Sequence, residues 1–285
     1  MVWFLALLGI YLAVLLVVGW ISVHPPRTPI FASPGSTGTP QETIRLEGEA
    51  GPLVAWWVPA EHPIGSVLLV HGYCMNRAEL AGEARLLWER GFSCLLLDLR
   101  GHGQSHTAPC GFGWRERRDV AVGARWLRER VPGPVGLFGS SMGAAASAFA
   151  QAEDGTLGDF LILDSSYDRL SSAILGWWRF LGGRSLMWAL APTTIVAAPL
   201  AKVNPFKIQV EEACRKIQVP TLIMHGLADN LALPKEAQEN FDALTGPKEI
   251  AWFKGMRHSE ARWEKPAEYR LALLTFLRDH HFVDD

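Results

Sequence analysis

The sequence predicts an α/β protein built on a mostly parallel sheet, and three observations carry that prediction. From Glu42 onward, short apolar runs alternate with longer amphipathic patterns. Strand, helix, strand, helix in succession implies right-handed crossovers between parallel strands. The apolar runs are continuous rather than alternating, as in strands covered on both faces. Finally, 285 residues with 49% hydrophobic and 20% charged side chains suffice for a sizeable core and exclude a disordered chain. Lys plus Arg is 27 against 29 Asp plus Glu, a net charge of −2. That leaves no basic excess to neutralise phosphates, so a nucleic-acid partner is not expected.

Val2 to Val23 contains no charged residue, and a hydrocarbon core of ~30 Å needs about 20 helical residues. Trp3 and Trp20 lie near the ends of the run, where amphipathic rings favour the headgroup level. A cleavable signal peptide is the alternative. Against it, no Lys or Arg precedes the run, the run is long for a signal h-region, and no clear A-x-A site follows. Residues 1–23 are therefore read as a single-pass membrane anchor. Arg27, the nearest charge, weakly favours a cytoplasmic domain, and the side of the membrane stays open. Residues 24–41 read as a Pro-rich tether, because Pro25, Pro26, Pro29, Pro34 and Pro40 suit neither a helix nor a ladder.

Residues 42–285 form the main domain. Its expected strands are Thr43–Leu46, Leu53–Val58, Val67–Val70, Cys94–Leu97, Val135–Phe138, Phe160–Leu163, Leu222–Met224 and Glu249–Phe253. Helical patterns cover Arg77–Glu89, Arg115–Glu129, Met142–Ala152, Lys235–Leu244 and Ala267–Arg278. The rhythm breaks at about 169–216, a long apolar stretch containing Trp177, Trp178 and Trp188. It reads as a helical cap inserted over the C-terminal edge of the sheet.

The chemistry begins at Gly139-Ser140-Ser141-Met142-Gly143, between a strand and a helix. That context lets a sharp turn project the Ser141 hydroxyl. The helix N-terminus aims partial positive charge at a developing oxyanion. The backbone N–H groups of Tyr73, in the loop after the Val67–Val70 strand, and of Met142 are candidate oxyanion donors. A serine nucleophile needs a histidine base, and there are nine histidines. His24 lies in the tether, His62 and His106 in turns or loops, and His280 and His281 in the tail. His71, His102 and His225 each precede a glycine at a strand end or turn, and His71 reads as structural. His258 remains, in a loop after the last strand at the same sheet edge. Asp229, just after the Leu222–Met224 strand, is the candidate orienting acid, with Asp164 as its rival. The chain order Ser…Asp…His matches that assignment. Asp98 and Asp119 read as structural, Asp98 through a charge pair within its own turn.

These pieces resemble the α/β-hydrolase superfamily. The matching segments are His71-Gly72 after a strand, DLRGHGQS at 98–105, GSSMG at 139–143, HGLADNLALP at 225–234 and GMRHSEA at 255–261. Their order and spacing fit over roughly 51–282. The resemblance looks closest to the serine-hydrolase (abhydrolase-domain) branch, which includes members with an N-terminal membrane segment. It implies an eight-stranded sheet, a Ser141–His258–Asp229 triad, and oxyanion donors at Tyr73 and Met142. The pattern does not require Cys74 or Cys110, and Ala232 stands where the branch often has Val. Dehalogenases and epoxide hydrolases of this fold place Asp where Ser141 stands, which argues against them here. No HExxH, CxxC, GxGxxG or GxxxxGK[ST] occurs, so neither a metal nor a cofactor is expected.

The expected function is that of a membrane-tethered serine hydrolase of carboxylesterase, lipase or thioesterase type. It would cleave small-molecule acyl esters or lipid-like substrates through an acyl-enzyme. The alternatives are a non-catalytic hydrolase-like binding module and a serine peptidase of the same fold. The expected acyl pocket is roofed by Trp177, Trp178 and Trp188. Of the four cysteines, Cys94 reads as a buried apolar residue and Cys214 as part of a helix. A Cys74–Cys110 disulfide is geometrically conceivable, whereas free thiols fit a cytoplasmic domain.

Overall fold

The computed structural model describes residues 1–284. Eight strands form one sheet: β1 (Glu42–Gly48), β2 (Gly51–Val58), β3 (Gly65–Val70), β4 (Phe92–Leu97), β5 (Val135–Ser140), β6 (Phe160–Asp164), β7 (Thr221–Gly226) and β8 (Lys248–Phe253). Their order is β1-β2-β4-β3-β5-β6-β7-β8. β2 runs antiparallel to both neighbours, and β4 through β8 pair in parallel. The helices are α1 (Val2–Val23), α2 (Ala81–Trp88), α3 (Arg117–Arg128), α4 (Met142–Glu153), α5 (Leu170–Leu190), α6 (Thr193–Ala201), α7 (Val210–Cys214), α8 (Pro234–Ala243), α9 (Ala261–Glu264) and α10 (Pro266–Asp279).

The central strands are apolar on both faces because both faces are covered. In β3, Leu68 and Val70 enter a core shared with α3, α4, α7 and α8. Val67 and Leu69, one residue out of phase, enter the opposite core with α2 and α10. Every residue of β3, β4, β5, β6 and β7 is buried. Burial on both faces removes the polar alternation a half-exposed strand would show, which explains the continuous runs.

The stretch 169–216 divides in two. α5 and α6 lie over the sheet edge as a cap. α7 instead packs its Val210, Ala213 and Cys214 into the main core. α5 breaks at Gly182 and Gly183, where φ of Gly183 is +69°, a left-handed value that glycine adopts without strain.

The segment 24–41 is strapped down rather than free. The Arg27 guanidinium donates to the carbonyls of Gly103 at 2.7 Å and Ser105 at 2.8 Å. Thr28 donates to the Cys74 carbonyl, and Asn76 Nδ2 donates back to Thr28 O at 2.8 Å. Prolines remove backbone donors but leave every carbonyl free to accept, and Pro29 O also accepts from Asn76.

Candidate active site

Ser141 sits between β5 and α4 with φ 51° and ψ −112°, a conformation rare for a residue with a side chain. The surroundings enforce it. A Cβ on Gly139 would lie 2.3 Å from the Gly143 carbonyl oxygen, and one on Gly143 would lie 2.1 Å from Val70 O. The Ser141 N–H is held by the Asp164 carbonyl at 2.7 Å. The turn thus locks the backbone and leaves the hydroxyl at the open edge.

The His258 ring bridges Ser141 and Asp229. Ser141 Oγ lies 2.8 Å from His258 Nε2, and His258 Nδ1 lies 2.7 Å from Asp229 Oδ2. A carboxylate can only accept, so Nδ1 donates to Asp229 and Nε2 is left to accept the serine proton. Asp229 is itself fixed: its Oδ1 accepts from the N–H groups of Leu231 at 2.8 Å and Ala232 at 3.0 Å. The nearby His225 donates Nε2–H to Ala232 O at 3.0 Å. Burial keeps its ring below the usual histidine range, so it stays neutral beside the acid.

Met142 opens α4, and the first N–H groups of a helix have no intrahelical acceptor. Among the described residues, the Tyr73 N–H meets no backbone acceptor either. Its loop is clamped, because Gly72 N donates to Glu79 Oε2 at 2.6 Å. Both candidate oxyanion donors therefore belong to segments that flank Ser141. His71, on that loop, is committed to the scaffold. Its Nδ1 donates to Gly72 O at 2.7 Å and its Nε2 accepts from Leu99 N at 3.1 Å.

Asp164, the rival acid, faces a different group. Its Oδ2 accepts from Arg262 at 2.6 Å and from the Tyr269 hydroxyl at 2.7 Å. Arg262 also donates to Glu79 Oε1 at 3.1 Å and Ser140 Oγ at 2.7 Å. This buried cluster ties the Gly72 loop, the serine turn and the segment after His258 together. Neither Glu79 nor Arg262 stands out in the sequence, since charged helical residues usually face water. Spacing gives no signal either: Arg262 follows His258 by four residues, but Ser259 between them has φ +54°, so the two do not share a helical turn.

The Asp98 turn also differs from its expected form. Asp98 pairs with Arg77, while Arg100 makes a bidentate contact with Asp119. The charge partners come from neighbouring elements, while within the turn Gln104 N donates to Asp98 Oδ2 at 2.7 Å and Ser105 Oγ donates to Asp98 O at 2.6 Å. All four cysteines are free. Burial pushes the Cys74 thiol up to about 11, so it stays protonated.

Above Ser141 and His258 lies a largely apolar cavity of about 450 Å³. Trp177 and Trp178 line it, and so do Tyr73 and Met142. Trp177 meets Tyr73 edge to face at 5.2 Å, and Trp178 Nε1 donates to Thr193 Oγ1 at 3.0 Å. Trp188 does not line the cavity. It lies beyond the Gly182–Gly183 break, and 66% of it is exposed. The break turns that half of α5 away from the site. Ser22 and Trp263, which sequence reasoning did not single out, are part of the wall. Among the described residues, no group of three or more His, Cys, Asp and Glu side chains is placed to hold a metal ion.

Comparison with known proteins agrees with this architecture. Residues 65–155 match the family described by the alpha/beta hydrolase fold. The uncharacterized protein YqkD of Bacillus subtilis (strain 168) is 24% identical over 74% of this chain and 70% of its own length. The uncharacterized protein YfhR of Escherichia coli O157:H7 is 23% identical over 84% and 78%. The structure of the Pyrococcus furiosus esterase Pf2001 superposes with a TM-score of 0.76 at 20% identity, covering 90% of this chain and 97% of that one. The chain has the α/β-hydrolase fold.

Proposed function

We propose that the protein is a serine hydrolase that cleaves esters of apolar acyl groups and is held at a membrane by α1. The observation that carries this reading is the unbroken chain of contacts from Ser141 Oγ through His258 to Asp229, at 2.8 and 2.7 Å, opening under an apolar cavity. In the proposed reaction, Ser141 Oγ attacks the ester carbonyl while His258 Nε2 takes its proton. Asp229 holds the ring in that tautomer and stabilises the imidazolium. The Tyr73 and Met142 N–H groups donate hydrogen bonds to the oxyanion, aided by the N-terminus of α4. His258 then returns the proton to the leaving alcohol, and water hydrolyses the acyl-enzyme by the same relay.

The lining supports an apolar acyl group over a charged one. Its two carboxylates are already engaged, Glu79 with Arg262 and Glu260 with Arg257. The strained serine also favours catalysis over a purely binding role, because strain of that kind persists only where the surroundings hold it. A fluorophosphonate probe should label the wild type and fail to label Ser141→Ala. A chain-length series of acyl esters, assayed in detergent, should then favour medium or long chains over acetyl. Labelling that persists in Ser141→Ala would overturn the assignment.

A further inference from the structure

We propose that α1 is a permanent wall of the cavity, and that α1, the end of α5 and α6 form one lipid-immersed surface through which the cavity is loaded from the bilayer. Only the nature of what is loaded rests on the ester-hydrolase reading.

The last turn of α1 is built into the body. Ser22 lines the cavity, and its carbonyl accepts from the Tyr73 hydroxyl at 2.8 Å. The Val23 carbonyl accepts from Cys110 N–H at 2.7 Å. Cleavage after residue 23 would open the wall and leave two donors unsatisfied at partly buried positions, which is unfavourable. This argues that the helix is retained rather than removed as a signal sequence.

From Tyr11 to Val23, one face of α1 packs on the cap. A Cβ on Gly19 would lie 3.1 Å from Val196 Cγ1, so the two helices touch closely there. Val23 joins Ala197 and Ala201 in a small core of their own. Near the middle of α1, the Tyr11 hydroxyl donates to Ala189 O at 2.7 Å.

The opposite side of this unit has no protein cover. No residue from Ser185 to Ala201 is charged, while Trp188 is 66% and Ile195 68% exposed. An apolar patch of that kind marks an interaction surface. Lipid is the occupant because of where α1 holds the patch. α1 has 22 residues, and at a rise of ~1.5 Å each it reaches about 33 Å, close to the ~30 Å of a hydrocarbon core. The contact at Tyr11 fixes the α5–α6 corner beside the middle of α1. If α1 crosses the bilayer, that corner lies at membrane depth. The Thr193 hydroxyl there is satisfied internally, as lipid requires: Thr193 Oγ1 both accepts from Trp178 and donates to Leu190 O.

The test uses the full chain in phosphatidylcholine nanodiscs, whose two faces are both open to water. Ile195→Cys and Trp188→Cys are compared with Leu271→Cys, a 66% exposed position on α10, after subtracting the wild-type rate. A membrane-impermeant maleimide should modify the two cap thiols at least about tenfold more slowly than the α10 thiol, and the difference should vanish in dodecyl sulfate. Equal rates in nanodiscs would place the cap in water and overturn the proposal. This readout needs no turnover, so it stands apart from failure of the hydrolase reading. Gly19→Leu, which should pry α1 from α6, tests the wall itself. Hydrolysis of a long-chain ester dissolved in the nanodisc should fall about tenfold or more while fluorophosphonate labelling of Ser141 continues. Long-chain turnover within about twofold of wild type would show that α1 is not part of the wall.

Discussion

The two sides of the cavity are held by opposite physics. Below it, Ser141, His258 and Asp229 are pinned by hydrogen bonds and by the buried Arg262–Asp164–Glu79 cluster. Above it, α5, α6 and the end of α1 enclose a largely apolar cavity, with single hydrogen bonds from Trp178 to Thr193 and from Tyr11 to Ala189 between them. Directional bonds fix angles and distances, as proton transfer demands. Apolar contact fixes volume and tolerates repacking. Damage to the lower side should therefore reduce catalysis of every substrate, while damage to the upper side should change which substrates are used.

The largest expected effect is on the lower side. Ser141→Ala and His258→Ala should each lower kcat by several orders of magnitude, to similar floors, because such residues act as a unit. Steady-state kinetics on one soluble ester checks this, and turnover within about tenfold of wild type in either variant would break the comparison. Asp229→Asn should also be severe.

Next comes the cluster beneath the serine. Arg262→Met leaves the carboxylates of Glu79 and Asp164 buried without their cation. Breaking a buried pair in this way costs ~3–5 kcal/mol, so thermal denaturation should show a large drop in Tm. Asp164→Asn should mainly destabilise, since its partners are Arg262 and Tyr269 rather than His258. A greater loss of kcat for Asp164→Asn than for Asp229→Asn would reassign the acid.

On the upper side, replacing Trp177 and Trp178 by Ser should weaken use of long-chain esters while largely sparing acetyl esters. Equal losses for both would make those rings structural. The Thr193 contact of Trp178 makes it the more structural of the two, so Trp177→Ser alone is the cleaner probe.

The smallest effect is one of pH on stability. Burial, reinforced by Asp168, raises the Glu236 carboxyl to about 8, with Ser172 and Arg179 opposing. A raised carboxyl binds its proton more tightly folded than unfolded. Its contribution is thus fully present below the ordinary glutamate range and lost as pH rises through about 8. His102 acts oppositely: burial lowers it to about 3, so its contribution is lost as pH falls below the ordinary histidine value of 6.5. Between about pH 6.5 and 8 the glutamate acts alone of these two, and wild-type stability should fall by at most ~1.4 kcal/mol per pH unit. Glu236→Gln should flatten that slope in denaturant titrations, and an unchanged slope would remove Glu236 as the cause.

The sheet was legible because buried parallel strands write continuous apolar runs, and each expected strand lies within an observed one. Ser141, Asp229 and His258 were legible because all three sit just beyond strand ends. What sequence reading did not reach shares one cause, the choice of partner. Arg262 and Glu79 look like solvated charges until the fold brings them together. The apolar runs of α1 and α6 announce an apolar environment without saying that one face of each packs on the other, at Gly19 and Val196. Trp188 lies close to Trp177 and Trp178 in sequence, and the helix break at Gly182 and Gly183 separates them.

That break has a mechanical consequence. The first half of α5 is bolted to the acid loop, where the Arg179 side chain donates to Asn230 O at 2.7 Å and Leu231 O at 3.1 Å. The second half is attached to α1 through Ala189. An unbroken α5 would be a rigid lever, converting any tilt of α1 into torque on the loop that carries Asp229. With a joint at Gly182 and Gly183, the outer arm can swing while the inner arm stays seated.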